Sequence, residues 1–188
     1  IYALLPANQV GDVLFSHQGL TYGGLLTTQR ATTADICEAF KQLNSYLSEN
    51  GIRRCFYKAI PHIYHRLPAE EDLYALTNVC HAAITRREVS STILLDHCLK
   101  CTESRKSGIR KAQKNNLSVR ESNALAEFWT ILDNNLHRKY NVAPVHTLAE
   151  LELLKTRFPK EIRLFMAFNS ANSPIGGTII YETPCVIH

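Results

Sequence analysis

The stretch "IRLFMAFNSANSPIGGTIIYE" (residues 162–182) sets two apolar runs, "IRLFMAF" and "PIGGTIIYE", on either side of the polar turn "NSANSP", and reads as two strands joined by that turn. Two helical patterns lie before it. In the first, Leu125, Phe128, Trp129, Leu132, Leu136 and Tyr140 fall on one stripe, which makes that face the core-facing one. The second opens with a capping box from Thr147 to Glu150, carries Leu151, Leu154 and Phe158, and closes at Pro159. "LSVRE" (residues 117–121) precedes both as a short strand. Helices interleaved with strands in this manner predict an α/β fold with mixed sheets and flanking helices.

Ahead of that strand, "SRKSGIRKAQKNNL" (residues 104–117) reads as a helix. Its register places Lys106, Arg110 and Lys114 along one edge, with Arg105 and Lys111 nearby and Ile109 and Ala112 on the opposite side. Glu103 is the only acid close by, so i, i+4 pairs do not neutralise the cations. A solvated charged face is the ordinary meaning of such a run. The alternative is a phosphate or carboxylate ligand, which gains charge-assisted bonds from Arg105 and Arg110 in particular. No DNA-docking motif and no interleaved aromatic residues accompany the run, which argues against DNA.

The first half of the chain repeats the mixture. "YALLP" (residues 2–6) and "VLFSHQGL" (residues 13–20) read as neighbouring strands around the turn-like "ANQVGD". A helix follows, capped by Thr32 and Asp35, with Ile36, Phe40, Leu43 and Leu47 at helical spacing until Asn50 and Gly51 end it. "RRCFYKAI" (residues 53–60) returns as a strand. Pro68 with Glu70, Glu71 and Asp72 then starts a short helix whose buried side is Leu73 and Leu76. "AAITRREV" and "SSTILL" alternate as a β-hairpin within residues 82–95. Two half-units result, with the break near residues 102–117.

The bulk properties narrow the function classes. A chain of 188 residues with 45% hydrophobic and 20% charged residues buries a core and is not disordered by composition. Its formal net charge of +4 is only mildly basic, so any anion site is local. No apolar run approaches the roughly 20 residues of a membrane helix, and the start carries no basic n-region. Six cysteines without framework spacing are expected to be reduced cytosolic thiols. Both ends, "IYALLP" and "TPCVIH", look cut from a longer chain.

Four local motifs remain. "SHQGLTYGGL" (residues 16–25) joins His17, Tyr22, Gly23 and Gly24 at the end of a strand, where backbone amides can approach a substrate; a tight turn is the plainer explanation. "IPHIYH" (residues 60–65) brings His62 and Tyr64 to the same side if the segment is extended. His62 is then a base or a hydrogen-bond donor toward substrate, set against the commoner role of a partly buried structural histidine. "HCLKC" (residues 97–101) contains one Cys-x-x-Cys pair without a second, so a metal or redox site there is not the expectation. No Gly-x-Ser-x-Gly elbow, Walker loop, His-Glu-x-x-His or dinucleotide fingerprint appears, which removes most of the support for hydrolase, ATPase and dehydrogenase readings.

Taken in order, "SHQGLTYGGL", "IPHIYHRLPAEEDLYAL", "SRKSGIRKAQKNNLSVRES", "FWTILDNNLHRKYNVAPVHTLAELELLKTRFP" and "IRLFMAFN…PIGGTIIYE" resemble the Fem-like (FemAB-type) branch of the GNAT acyltransferase superfamily. The resemblance implies parts of two tandem GNAT-like domains. Residues 1–101 would be the later part of the first, residues 102–116 a basic connecting helix, and residues 117–188 the opening part of the second, reaching its fourth strand near Cys185. It also implies transfer of an acyl or aminoacyl group to an amine acceptor in the cytoplasm, with acyl-CoA or aminoacyl-tRNA as donor and no metal.

The loop that would present amides to a cofactor pyrophosphate lies beyond His188, so the resemblance leaves the donor open and singles out no catalytic residue. The acceptor it implies is an anionic small molecule or a cell-wall-precursor-like one. By the resemblance, the "GLTYGG" loop with Tyr22, Gly23 and Gly24, and the basic helix with Arg105, Lys106, Arg110, Lys111 and Lys114, would lie near the cleft between domains where the acceptor binds; His17, His62 and Tyr64 are further candidate substrate-binding residues from their own motifs. The competing reading is a non-catalytic RNA- or tRNA-binding module that uses the same basic helix.

Overall fold

The computed structural model describes residues 3–188, which divide into two compact units between Val89 and Ser90. Among the described residues the fold is mixed α/β, with five α-helices and three small sheets.

In the first unit, β1 (Ala3–Leu4) pairs antiparallel with β4 (Leu26–Thr27). A second sheet has the order β2 (Asn8–Val10), β3 (Val13–Phe15), β5 (Arg54–Phe56), with β2 antiparallel and β5 parallel to β3. The expected pairing of "YALLP" with "VLFSHQGL" is therefore replaced. The segment expected as a turn holds β2 instead, because Gly11 at φ +60° closes a tight β2–β3 reversal. The strand from Val13 ends at Phe15 because His17 adopts φ 60° and a local turn follows, with the Leu20 amide donating to the His17 carbonyl. Tyr2, where the first strand was expected to begin, lies outside the described residues.

Helix α1 (Thr33–Glu49) has the expected capping box between Thr32 and Asp35, and Gly51 in the left-handed region turns the chain away at its end. Its buried residues Ile36 and Phe40 pack against Ala75 of α2 (Glu71–Asn78). The buried contact of α2 is thus Ala75, whereas Leu73 faces solvent and Leu76 is only partly covered. A methyl group at the contact lets two helices approach closely, and the larger leucines flank it.

The hairpin expected within residues 82–95 does not form. The segment is irregular and exposed up to a single 3₁₀ turn at Leu95–His97. Alternation alone does not hold two strands together in water; a third strand or a packed layer is needed, and none covers this stretch.

In the second unit, α3 (Glu103–Lys114) leads into β6 (Ser118–Ser122), α4 (Leu125–Tyr140), α5 (Leu148–Arg157), β7 (Ile162–Phe168) and β8 (Pro174–Tyr181). The three strands form one antiparallel sheet in the order β6-β7-β8. Along β7, Ile162, Leu164, Met166 and Phe168 are buried, and Leu164, Met166 and Phe168 meet Leu125 and Phe128 of α4 and Leu151 of α5 in one core. Gly177 permits that packing, because a Cβ there would lie 2.9 Å from both the Phe128 ring and the Phe165 carbonyl oxygen.

Three residues of the expected stripes leave the core: Leu154 on α5 is 37% exposed, and the other two lie at helix ends. Tyr140, in the last turn of α4 just before Asn141 ends the helix in the left-handed conformation, is exposed. Phe158, at the C-cap of α5, is half-exposed. After β8 the chain reverses: Thr183 Oγ1 accepts the Val186 amide at 2.9 Å, and His188 exchanges both backbone hydrogen bonds with Tyr181.

Candidate functional site

The polar residues singled out in the first unit gather where β3 and β5 end side by side. Ser16, buried to 1% exposure, donates its amide to the Phe56 carbonyl at 2.9 Å, and its Oγ accepts the Lys58 amide at 2.8 Å. This stitching brings the loop of residues 17–25 against residues 57–58. The Gly23 amide donates to the Lys58 carbonyl at 3.0 Å, and the Lys58 ammonium donates back to the Leu20 and Gln18 carbonyls at 2.7 and 3.3 Å.

Both glycines are required by this close approach. A Cβ on Gly23 would sit 2.7 Å from the Ser16 carbonyl oxygen, and one on Gly24 would sit 2.7 Å from the Tyr57 hydroxyl. The tight turn weighed in the sequence thus accounts for the pair through contacts inside the protein.

The Tyr57 hydroxyl accepts the Leu25 amide at 2.7 Å and donates to Asp72 at 2.5 Å. Burial, reinforced by the bond to Asp72, pushes this phenol well above its ordinary value. Tyr22 and Tyr64 pack ring to ring with centroids 4.8 Å apart. The Tyr22 phenol is likewise pushed up, first by burial and then by its hydrogen bond with Tyr64. Both shifted phenols therefore stay protonated near neutrality and act as hydrogen-bonding groups, not as bases.

His17 is exposed at the rim of the loop. His62 and Tyr64 do not share a side through strand alternation, because residues 62–64 form a 3₁₀ turn, in which successive side chains rotate by about 120°. His62 is exposed, while Tyr64 turns to Tyr22. Beside them His65 engages the Ile60 carbonyl through Nε2 at 3.1 Å, and its Nδ1 is buried without a hydrogen-bond partner. Ser16, Tyr57, Lys58 and Asp72 were not anticipated as members of this cluster, whereas His65 was grouped with His62 and Tyr64 by the "IPHIYH" segment. Ser16 directly precedes the His17 already singled out, whereas the Tyr57–Asp72 pairing leaves no local signal.

The five cations belong to the second unit. Thr102 caps α3, its Oγ1 accepting the Arg105 amide at 3.4 Å. Glu103 lies 2.8 Å from Lys106 and 3.6 Å from Arg110, so one carboxylate is shared by two cations. Arg105, Lys111 and Lys114 have no acidic partner among the described residues, and no residue of α3 is buried. Cys98 and Cys101 are exposed free thiols, and no group of three potential metal ligands occurs among the described residues. A separate apolar cavity of about 290 Å³, lined by Trp129, Leu132, Leu154, Ile179 and Tyr181 with His146 among them, lies between α4, α5 and β8. No helix among the described residues is long and apolar enough to cross a membrane.

No protein-family model, no curated protein and no solved structure matches the chain.

Proposed function

We propose that the chain is part of a cytoplasmic N-acyltransferase of the Fem-like GNAT type, built from parts of two tandem domains, which transfers an acyl or aminoacyl group to an amine. The observation that carries the reading is the second unit's order β6-α4-α5-β7-β8, in which two helices intervene before an antiparallel run of strands. It is the order that the resemblance leads one to expect as far as the third strand; the fourth, expected near Cys185, does not form, and residues 182–188 hold only an isolated bridge between Glu182 and Ile187. In the reaction, the acceptor nitrogen attacks the carbonyl carbon of a thioester or ester. A tetrahedral oxyanion forms, and the donor's thiolate or alkoxide leaves as the amine gives up its proton. Positioning supplies much of the rate in such a transfer, so no residue triad is required.

The basic helix α3 is the recognition element for an anionic acceptor or donor, with Arg105, Lys111 and Lys114 as its unneutralised cations and Arg110 as a further fork-shaped donor. The test is steady-state kinetics of the complete enzyme with acyl-CoA and with aminoacyl-tRNA as donor. Arg105→Ala with Arg110→Ala is expected to raise the acceptor KM severalfold, and unchanged kinetics sink the assignment. Submicromolar RNA binding that weakens steeply with salt, with no transfer from either donor, favours the RNA- or tRNA-binding alternative.

A further inference from the structure

Residues 90–114 hold six Lys and Arg against two Asp and Glu, a net charge of +4 that equals that of the entire chain and leaves the remainder formally neutral. The same residues expose large aliphatic side chains: Ile93 at 72%, Leu94 at 62%, Leu95 at 75% and Leu99 at 92%. No residue from Ser90 to Lys114 is buried. The apolar group therefore adjoins the cationic helix in sequence within one unit, and nothing among the described residues covers either.

A cationic surface by itself fits any polyanion. Two features separate the candidates. Single-stranded RNA sites add aromatic platforms for base stacking, and residues 90–114 contain no Phe, Tyr or Trp. An anionic bilayer surface instead rewards aliphatic side chains that enter the acyl boundary beside cations that meet the headgroups, which is the combination present. We propose that residues 90–114 attach the protein peripherally to anionic membrane surfaces. Ile93, Leu94, Leu95 and Leu99 insert, while Arg105, Lys111 and Lys114 lead the headgroup contacts. The inference gives the cations of α3 a different anion from the one in the transferase reading, and its test uses no enzymatic activity, so the two fail separately.

The protein is sedimented with vesicles of phosphatidylcholine and phosphatidylglycerol at 3:1, and with vesicles of phosphatidylcholine alone. Binding to the anionic vesicles is expected, at least tenfold weaker on neutral vesicles and at 0.5 M salt. Leu94→Ser with Leu95→Ser is expected to weaken anionic-vesicle binding at least fivefold with the melting temperature unchanged, since both side chains are already in solvent. Lys111→Gln with Lys114→Gln is expected to weaken it similarly and to reduce its salt dependence. Absence of binding to anionic vesicles, or full binding by the leucine double variant, overturns the proposal. Vesicle-independent binding of unstructured RNA that the leucine variant keeps in full overturns it in favour of nucleic acid.

Discussion

The Tyr57 hydroxyl donates to the Asp72 carboxylate while accepting the Leu25 amide, so a single phenol ties the loop after Gly24 to helix α2 across 15 residues in one direction and 32 in the other. Tyr57→Phe leaves a partly buried amide and a carboxylate without this partner. It is expected to lower the unfolding free energy by about 1–3 kcal/mol, read by urea denaturation. A loss below a few tenths of a kcal/mol is the contrary result.

Alkaline stability follows from the same group. The native phenol holds its proton above the ordinary tyrosine value near 10, so the unfolded state ionises first. Stability conferred by Tyr57 is complete below pH of about 10 and falls as pH climbs through the raised native value. Tyr22 acts in the same direction. Urea midpoints measured from pH 9 to 11 should decline for the native protein and decline less for Tyr57→Phe.

Three glycines make opposite demands. Alanine at Gly24 or Gly177 meets the Tyr57 hydroxyl at 2.7 Å or the Phe128 ring and a carbonyl at 2.9 Å. Each substitution is expected to cost about 1–3 kcal/mol. Gly108, inside α3, has open space for 4 Å around the point a Cβ would occupy, and alanine there should add up to about 1 kcal/mol of helix stability. Thermal melts of the three single variants decide the matter, because a common sign for all three contradicts it.

The two capping boxes set the acid limb. Backbone amides of Thr32 and Thr147, then their hydroxyls, donate to Asp35 and Glu150 and hold both carboxylates below their ordinary values. Their stabilisation is present above the unfolded value near 4 and is lost as pH falls through the depressed native values. Asp35→Asn and Glu150→Gln should flatten the decline in melting temperature between pH 5 and about 2. Thr32→Ala or Thr147→Ala should cost about 1 kcal/mol at neutral pH.

Legibility in the sequence followed the range of the interactions concerned. The capping boxes, the α1 and α4 stripes and the β7–β8 pair are written in residues three, four or a short turn apart, and their elements stand where the spacing placed them. Residues 82–95 had the same quality of local pattern but no layer to pack against, and alternation without a partner left them irregular. β2 was hidden in a polar stretch, since its pairing depends on the Gly11 reversal more than on its own side chains. At the candidate site, α3 was readable because a helix displays its charge locally. The Tyr57–Asp72 bond was not, because two polar residues 15 positions apart meet only after α2 docks on α1.

Trp129, the chain's single tryptophan, lies in the second unit beside Leu125 and Phe128. Its emission consequently reports on that unit's core, whereas helical circular dichroism sums over both units. If the two units melt as separate cooperative blocks, the tryptophan signal and the helical signal will part company on heating, and their divergence will measure how loosely the halves are thermodynamically coupled.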